Sequence, residues 1–332
     1  MFANLFLSDM VVAISGAHPL ARSTSVTPRA SPARLATARW HELALQAEEW
    51  ARPCQLDRTL LEQRTLKYDL QTFDFIGAAQ EMLLGDELHA SLAELHLEPI
   101  RPPAATAPAL RRAQIQAQLG GRVSKTERKA ARTHAHRFER SVGWRRFLEV
   151  YQRYIAEWVV PQFGGVPLLY QRKPILRVVL PGSVAPTKPH CDAEYFHDAN
   201  ELNFWVPLTA VSGANSLWSE SAPGAADYAA FEAGPGEAVR FYGNRCRHYT
   251  TANDAHGRTR VSFDFRVIPH HLFRPPSAIA STLSRHELNP GVSKKGYYAL
   301  ADPTGLLMVA DPAAVGEMRR RWRETSERRL GE

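Results

Sequence analysis

The sequence predicts an α+β protein with its helices first and an antiparallel β-domain second. Three observations carry that expectation. Apolar residues recur at helical spacing from Trp40 to about Leu97 and again up to Val160. After PQFGGVP (161–167) the chain breaks into short runs rich in β-branched and aromatic residues, divided by Pro, Gly, Asn and Asp. No helical stretch separates those runs, which favours an antiparallel sandwich or barrel with the helices covering one sheet.

Taken in order, residues 1–39 are dominated by Ala, Ser, Thr, Pro and four arginines, with Asp9 as the only acid. That bias fits either an organelle transit peptide or a disordered tail. Residues 40–165 form the helical region. LLEQRTLKYDL and FIGAAQEMLLGDELHASLAELHL carry the helical period, while the prolines of RPPAATAPAL (101–110) remove backbone donors and make a connector. A long helix is expected from about Lys125 to Val160, with Phe147, Tyr151, Tyr154, Ile155 and Trp158 as its core-facing stripe. Its basic start, RVSKTERKAARTHAHRFER, reads as a solvated face, because no aromatic residues interleave with the charges as they do on nucleic-acid surfaces.

Residues 166–272 hold the β-domain: ILRVVL, ELNFWVPL, NSLWSES, EAVRFYG, RHYT and RTRVSFDFRVI. Residues 273–332 read as irregular through HHLFRPPSA and NPGVSKKGYY, with a lid around 285–300, and end in a basic helix within ADPAAVGEMRRRWRETSERR.

The bulk composition excludes several classes. With 332 residues, 44% hydrophobic and 23% charged, the chain is ordinary globular material. No apolar run reaches the roughly 18 residues of a membrane span. A net charge of +7 over this length gives little support for a nucleic-acid partner. The three cysteines are scattered and form no CxxC pair, so neither a disulfide framework nor structural zinc is expected. A reducing setting follows: cytoplasmic, or organellar if residues 1–39 are a transit peptide. The sequence carries no signal for an oligomeric state.

The chemistry concentrates in PHCDAEYFH (189–197). As an extended strand it would put His190 and Asp192 on one face and Cys191 on the other, the beginning of a metal site. The third donor is expected from His248 in NRCRHYTTAND, where a double-sheet roll returns the chain to its own mouth. Two histidines and one carboxylate leave adjacent positions open on an iron, whereas a structural zinc would close its shell with a fourth donor, usually sulfur. In RTRVSFDFRV (258–267), Arg258, Arg260, Ser262, Asp264 and Arg266 share one face and Val261, Phe263, Phe265 and Val267 the other. The apolar face should lie beneath helices and the polar face should line a pocket. An arginine followed two residues on by a serine can clamp a carboxylate.

The series LRVVLPG, PHCDAEYFH, ELNFWVPLT, GANSLWSES, CRHYT and RVSFDFRV resembles the Fe(II)/2-oxoglutarate-dependent oxygenases, in particular the streptomycin-biosynthesis-like and phytanoyl-CoA-dioxygenase-like branch, over about residues 170 to 270. The resemblance implies a double-stranded β-helix (jelly roll, cupin-like) with N-terminal helices packed on one sheet. It implies Fe(II) on His190, Asp192 and His248, and 2-oxoglutarate held by Arg260 and Ser262. Arg258 is the competing anchor and Asn203 a further co-substrate contact. Dioxygen is the second co-substrate, with ascorbate as a supporting reductant. The implied activity is that of a 2-oxoglutarate-dependent non-haem iron dioxygenase, oxidising a small molecule by hydroxylation, desaturation or oxidative cyclisation with formation of succinate and CO2. The presence of Asp192 speaks against a halogenase.

Arg177, Glu194, Tyr195, Trp205, Asp264 and Arg266 are the candidates for substrate contact. Inward arginines suit an acidic group and Glu194 with Asp264 suit an amine, so an amino-acid-like or natural-product substrate is expected. Arg177 needs a carboxylate partner, either Asp264 or a ligand. His197, opposite in parity to His190, is expected in a loop or at the surface, and Cys246 as a small buried hydrophobe. Two other readings are an oxygenase acting on a protein or nucleic acid, and a metal-binding jelly-roll module without catalysis.

Overall fold

In the computed structural model, the described residues are 53–84, 91–97, 141–183, 187–195, 197–253, 257–273, 297–302 and 305–307. The expected tail (1–39), the connector (101–110), the basic start of the long helix, most of the expected lid and the final basic helix lie outside them.

The helical part consists of α1 (Arg58–Leu61), α2 (Phe75–Leu84) and α3 (Val142–Tyr154). Ser141 caps α3 by accepting from the Trp144 amide at 3.2 Å, which satisfies one of the helix's free donors. The helix then widens into a π turn (Ile155–Val159) and tightens into a 3-10 turn (Val160–Phe163), which stops at Gly164 in the left-handed region, φ 67°. Gly143 sets how closely α2 and α3 approach. A Cβ there would fall 2.7 Å from Met82 Cα, so the crossing tolerates no side chain at this position.

Two antiparallel sheets follow. The larger runs β1 (Arg64–Lys67), β7 (Glu237–Phe241), β4 (Leu202–Pro207), β9 (Arg260–Pro269), β2 (Leu168–Gln171), β10 (Tyr298–Asp302) and β11 (Gly305–Leu307), with β3 (Ile175–Val179) also paired to β9. The smaller runs β6 (Ala229–Ala230), β5 (Leu217–Ser219) and β8 (His248–Thr250). Strand β9 is the spine: Val179 pairs with Arg260, Pro207 with Ser262, Trp205 with Asp264 and Asn203 with Arg266.

The alternation along β9 has the consequences its sequence predicts. Val261, Phe263, Phe265 and Val267 are fully buried beneath the helices. The Phe263 ring lies 4.7 Å from Phe75 and 5.4 Å from Phe147, and Phe265 stacks on Phe204 at 5.2 Å. With its apolar face consumed by this core, β9 turns Arg260, Asp264 and Arg266 the other way, into a cavity.

Three local expectations are corrected. RTLK, read as helical, is strand β1, because pairing to β7, with Leu66 opposite Ala238, outweighs the local period. The region after Pro269, read as irregular until a final helix, contributes β10 and β11, and Leu300 pairs with Leu169 of β2. PHCDAEYFH is not a continuous strand. His190 forms an isolated bridge with His248, and the chain then coils into a 3-10 turn, Asp192–Tyr195.

Candidate metal centre and its pocket

His190 and His248 meet because their backbones pair: the His190 amide donates to the His248 carbonyl at 3.1 Å and the reverse bond is 2.9 Å. Asp192 reaches them through the turn that follows, its amide held by the Gly243 carbonyl at 2.9 Å. His190, Asp192 and His248 are all buried, and one donor atom of each lies within 4.8 Å of the others.

Each ligand atom is oriented by a second contact. His190 Nδ1 donates to the Lys188 carbonyl at 2.8 Å and His248 Nδ1 to the Cys246 carbonyl at 3.0 Å. A carbonyl only accepts, so both rings donate from Nδ1, which leaves Nε2 as the nitrogen that can face a metal. Those Nε2 atoms stand 3.6 and 3.8 Å from Asp192 Oδ1. Two donors of one ion lie at such separations when each bond is about 2.0–2.2 Å. The other oxygen, Asp192 Oδ2, accepts from Asn203 Nδ2 at 2.7 Å and from Arg266 Nε at 2.8 Å. The carboxylate therefore offers one oxygen inward while the other is fixed.

The electrostatics agree with this geometry. Burial works to raise the Asp192 carboxyl, but Arg266 first, and then the His190 contact, hold it well below the usual carboxylate range. Burial and the neighbouring His190 pull His248 down to about 3 against the attraction of Asp192, so the ring is neutral at physiological pH, as a metal ligand must be.

The pocket above these ligands opens to solvent and, with that open space included, spans about 420 Å³. Trp205, Leu217 and Phe241 form apolar wall, while Thr187, Thr250 and the β9 side chains supply polar groups. Arg260 is 1% exposed. Its Nη1 donates to the Asn215 and Ser216 carbonyls at 3.1 and 3.2 Å, and its Nε and Nη2 have no partner among the described residues. Burial first, and the nearby Arg177 second, pull this guanidinium down to about 9 against the opposing pull of Asp264. Ser262 Oγ, two residues on and fully buried, is likewise without a partner. Two orphaned donors on a buried cation make a receptacle for an oxyanion.

The other candidates take varied positions. Arg258 is exposed and precedes β9, away from the pocket lining. Arg177 lines the pocket and pairs with Asp264 through Nε to Oδ1 at 2.7 Å. Arg266 lines it too, but its Nε is occupied by Asp192. Asn203 spends its amide NH2 on Asp192 and keeps Oδ1 unpartnered. Trp205 packs against Phe231 at 5.8 Å from the rear of the wall. Glu194 and Tyr195 are partly exposed and absent from the lining: Glu194 pairs with Arg247 at 2.7 Å, and the Tyr195 ring sits 5.3 Å from that of His190.

His197, expected in a loop or at the surface rather than on the metal, does lie in irregular chain beyond the 3-10 turn and outside the His-Asp-His group, but it is buried, 2% exposed, with Nδ1 2.6 Å from Glu201 Oε2. No sequence motif singled out Gln171 and Glu201, both buried: the first accepts from Arg266 Nη1 at 3.4 Å and the second stands 4.0 Å from its Nε. The four-residue spacing of His197 and Glu201 was the available signal.

No family model matches the chain. Over 105 residues it is 40% identical to the streptomycin biosynthesis protein StrG of Streptomyces griseus, a stretch covering 32% of this chain and 49% of that protein. The match thus spans about half the length of that curated relative. Among solved structures, the non-haem α-ketoglutarate-dependent epimerase SnoN from nogalamycin biosynthesis is 18% identical with a TM-score of 0.36, covering 72% of this chain and 88% of its own. The carbocyclase SnoK from the same biosynthesis is 15% identical with a TM-score of 0.34, covering 61% and 100%. The likeness to the streptomycin-biosynthesis branch read from the sequence is borne out by the StrG stretch, and in its buried His-Asp-His centre the chain resembles the Fe(II)/2-oxoglutarate-dependent oxygenases.

Proposed function

We propose that this chain is a Fe(II)/2-oxoglutarate-dependent dioxygenase that oxidises a small molecule. The observation that carries the reading is a cavity lined by His190, His248 and Arg260: Asp192 meets the two imidazoles with a single oxygen, and Arg260 keeps two donors unpartnered among the described residues. Two imidazoles and one carboxylate are the donor set of ferrous oxygenases rather than of structural zinc. Together the metal, 2-oxoglutarate and dioxygen would supply the oxidation, with succinate and CO2 as the products of the co-substrate.

The chain's own residues supply binding and order. His190, Asp192 and His248 hold the metal. Arg260, with Ser262 beside it, takes the far carboxylate of 2-oxoglutarate through Nε and Nη2, and Arg258 is left without that role. Asn203 and Arg266 hold the outer oxygen of Asp192, so that the carboxylate would take a single place on the metal. Trp205, Leu217 and Phe241 limit water near the reacting atoms. The fold that serves this is a double-stranded β-helix, a reading supported by the way β9 is shared among β2, β3 and β4 and by the bridge that ties His190 to the smaller sheet.

Arg177 with Asp264 and Arg266 with Asp192 are mutually paired, and Arg260 is reserved for the co-substrate. Shape and the Thr187 and Thr250 hydroxyls therefore select the substrate in the inner pocket, which favours a small natural product; the StrG likeness supports the same class. The test is succinate release from 2-oxoglutarate with Fe(II), ascorbate and oxygen. Succinate is expected from the wild type and not from Asp192→Ala, whereas equal release by the two proteins would contradict the reading.

A further inference from the structure

Behind the metal carboxylate lies a second buried polar group that the metal site does not itself require. Glu201 is fully buried at the head of β4. One of its oxygens, Oε2, lies 2.6 Å from His197 Nδ1 and 4.0 Å from Arg266 Nε, and the other, Oε1, accepts the Tyr298 hydroxyl. Burial first, and the Glu201 charge second, keep that hydroxyl well above its ordinary value, so it remains a donor. Arg266 is held from its other end as well, Nη1 lying 3.4 Å from Gln171 Oε1, and Gln171 is the register partner of Tyr298 across β2 and β10. The C-terminal strand thus reaches Arg266 by two routes.

We propose that Glu201 is a positioning residue for the metal carboxylate, acting through Arg266 and seated by Tyr298 of β10. The physical reason is torsional. The terminal torsion of an aspartate is broad and roughly two-fold, so Asp192 alone could turn its second oxygen toward the ion. Arg266 prevents this only if its own long, flexible side chain is fixed. Glu201, 4.0 Å from Nε, adds an electrostatic hold to the Gln171 contact and shares the charge, which limits how far the guanidinium draws electron density from Asp192. Without Glu201, Arg266 would be left to Asp192 and to Asp264, whose Oδ2 lies 3.9 Å from Nη1, and the His197 contact would be lost at the same time. Partners of this kind are worth about 10- to 100-fold in metal affinity.

The inference rests on the proposed metal site, and a Co(II) titration with the visible spectrum of the bound ion separates the two. Glu201→Gln keeps the shape and removes the charge. It is expected to weaken Co(II) binding about 10-fold or more and to alter the spectrum, while circular dichroism stays that of the folded wild type. The exposed Glu157→Gln serves as control and should leave both unchanged. If Glu201→Gln does not fold, Tyr298→Phe decides, since it removes one hydroxyl and keeps the ring; weaker Co(II) binding with an altered spectrum supports the inference. Wild-type affinity and spectrum in folded Glu201→Gln, or in Tyr298→Phe where that variant decides, overturns it. A wild type that binds no Co(II) overturns the proposed metal site, and this inference with it.

Discussion

Arg260→Met should move two measured quantities in directions that no other single explanation joins. The wild-type side chain is 1% exposed, its two contacts are neutral carbonyls, and Nε and Nη2 have no partner among the described residues. If 2-oxoglutarate completes this arginine, truncation removes a buried charge pair, a loss of about 3–5 kcal/mol. At about 1.4 kcal/mol per decade, the KM for 2-oxoglutarate should rise roughly 100- to 4,000-fold. The turnover number should change far less, because the lost contact is equal in ground and transition states. The ligand-free protein should respond in the opposite sense. A guanidinium held at about 9 in the fold, below its ordinary 12.5, costs stability at every pH below about 9, and that cost shrinks as pH rises from there toward 12.5. Replacing it with a methionine of similar reach should stabilise the ligand-free fold by about 1–4 kcal/mol. At about 2–4 °C per kcal/mol the Tm rises by several degrees at pH 7, and the gap to wild type narrows above pH 9. Succinate kinetics and thermal melts measure the two effects. An unchanged KM refutes the reasoning, as does a KM increase that appears in Arg258→Met and not in Arg260→Met.

Two further outcomes follow from the packing. A Cβ at Gly243 would stand 2.8 Å from the Asn203 side chain, so Gly243→Ala should push Asn203 off Asp192 and weaken metal binding by about 10-fold while the melting temperature changes little; unchanged affinity in a metal titration would count against the role given to Asn203. Phe263→Ala removes a fully buried ring from between Phe75 and Phe147 and should cost about 3–5 kcal/mol in a urea titration, and a cost below 1 kcal/mol would mean that β9 is not the spine of the core.

The sequence made the metal ligands legible through residue type more than through local geometry. His190, Asp192 and His248 meet as expected, yet the expected strand is a bridge followed by a 3-10 turn, and the backbone pairing of the two histidines does the work assigned to parity. Parity succeeded where the strand is long: ten residues of β9 sort their aromatic and charged side chains to opposite faces. At His197, beyond the turn, it kept the ring out of the metal group but gave no sign of its burial. It also placed Arg266 in the pocket without revealing that Asp192 would claim it, because that depends on a distance between residues 74 positions apart. Strands β1 and β10 were hidden for a related reason: their partners β7 and β2 lie far along the chain, and short segments show their pairing only once the sheet has assembled.

The central claim is that three side chains bind one ferrous ion with room left for its co-substrates. Anaerobic Fe(II) binding, measured as metal retained per chain after dialysis, tests it most directly in the wild type and in His190→Ala, Asp192→Ala and His248→Ala. One ion per chain in the wild type, with a large loss in each variant, is the expected result. Full retention by folded His248→Ala would contradict the account.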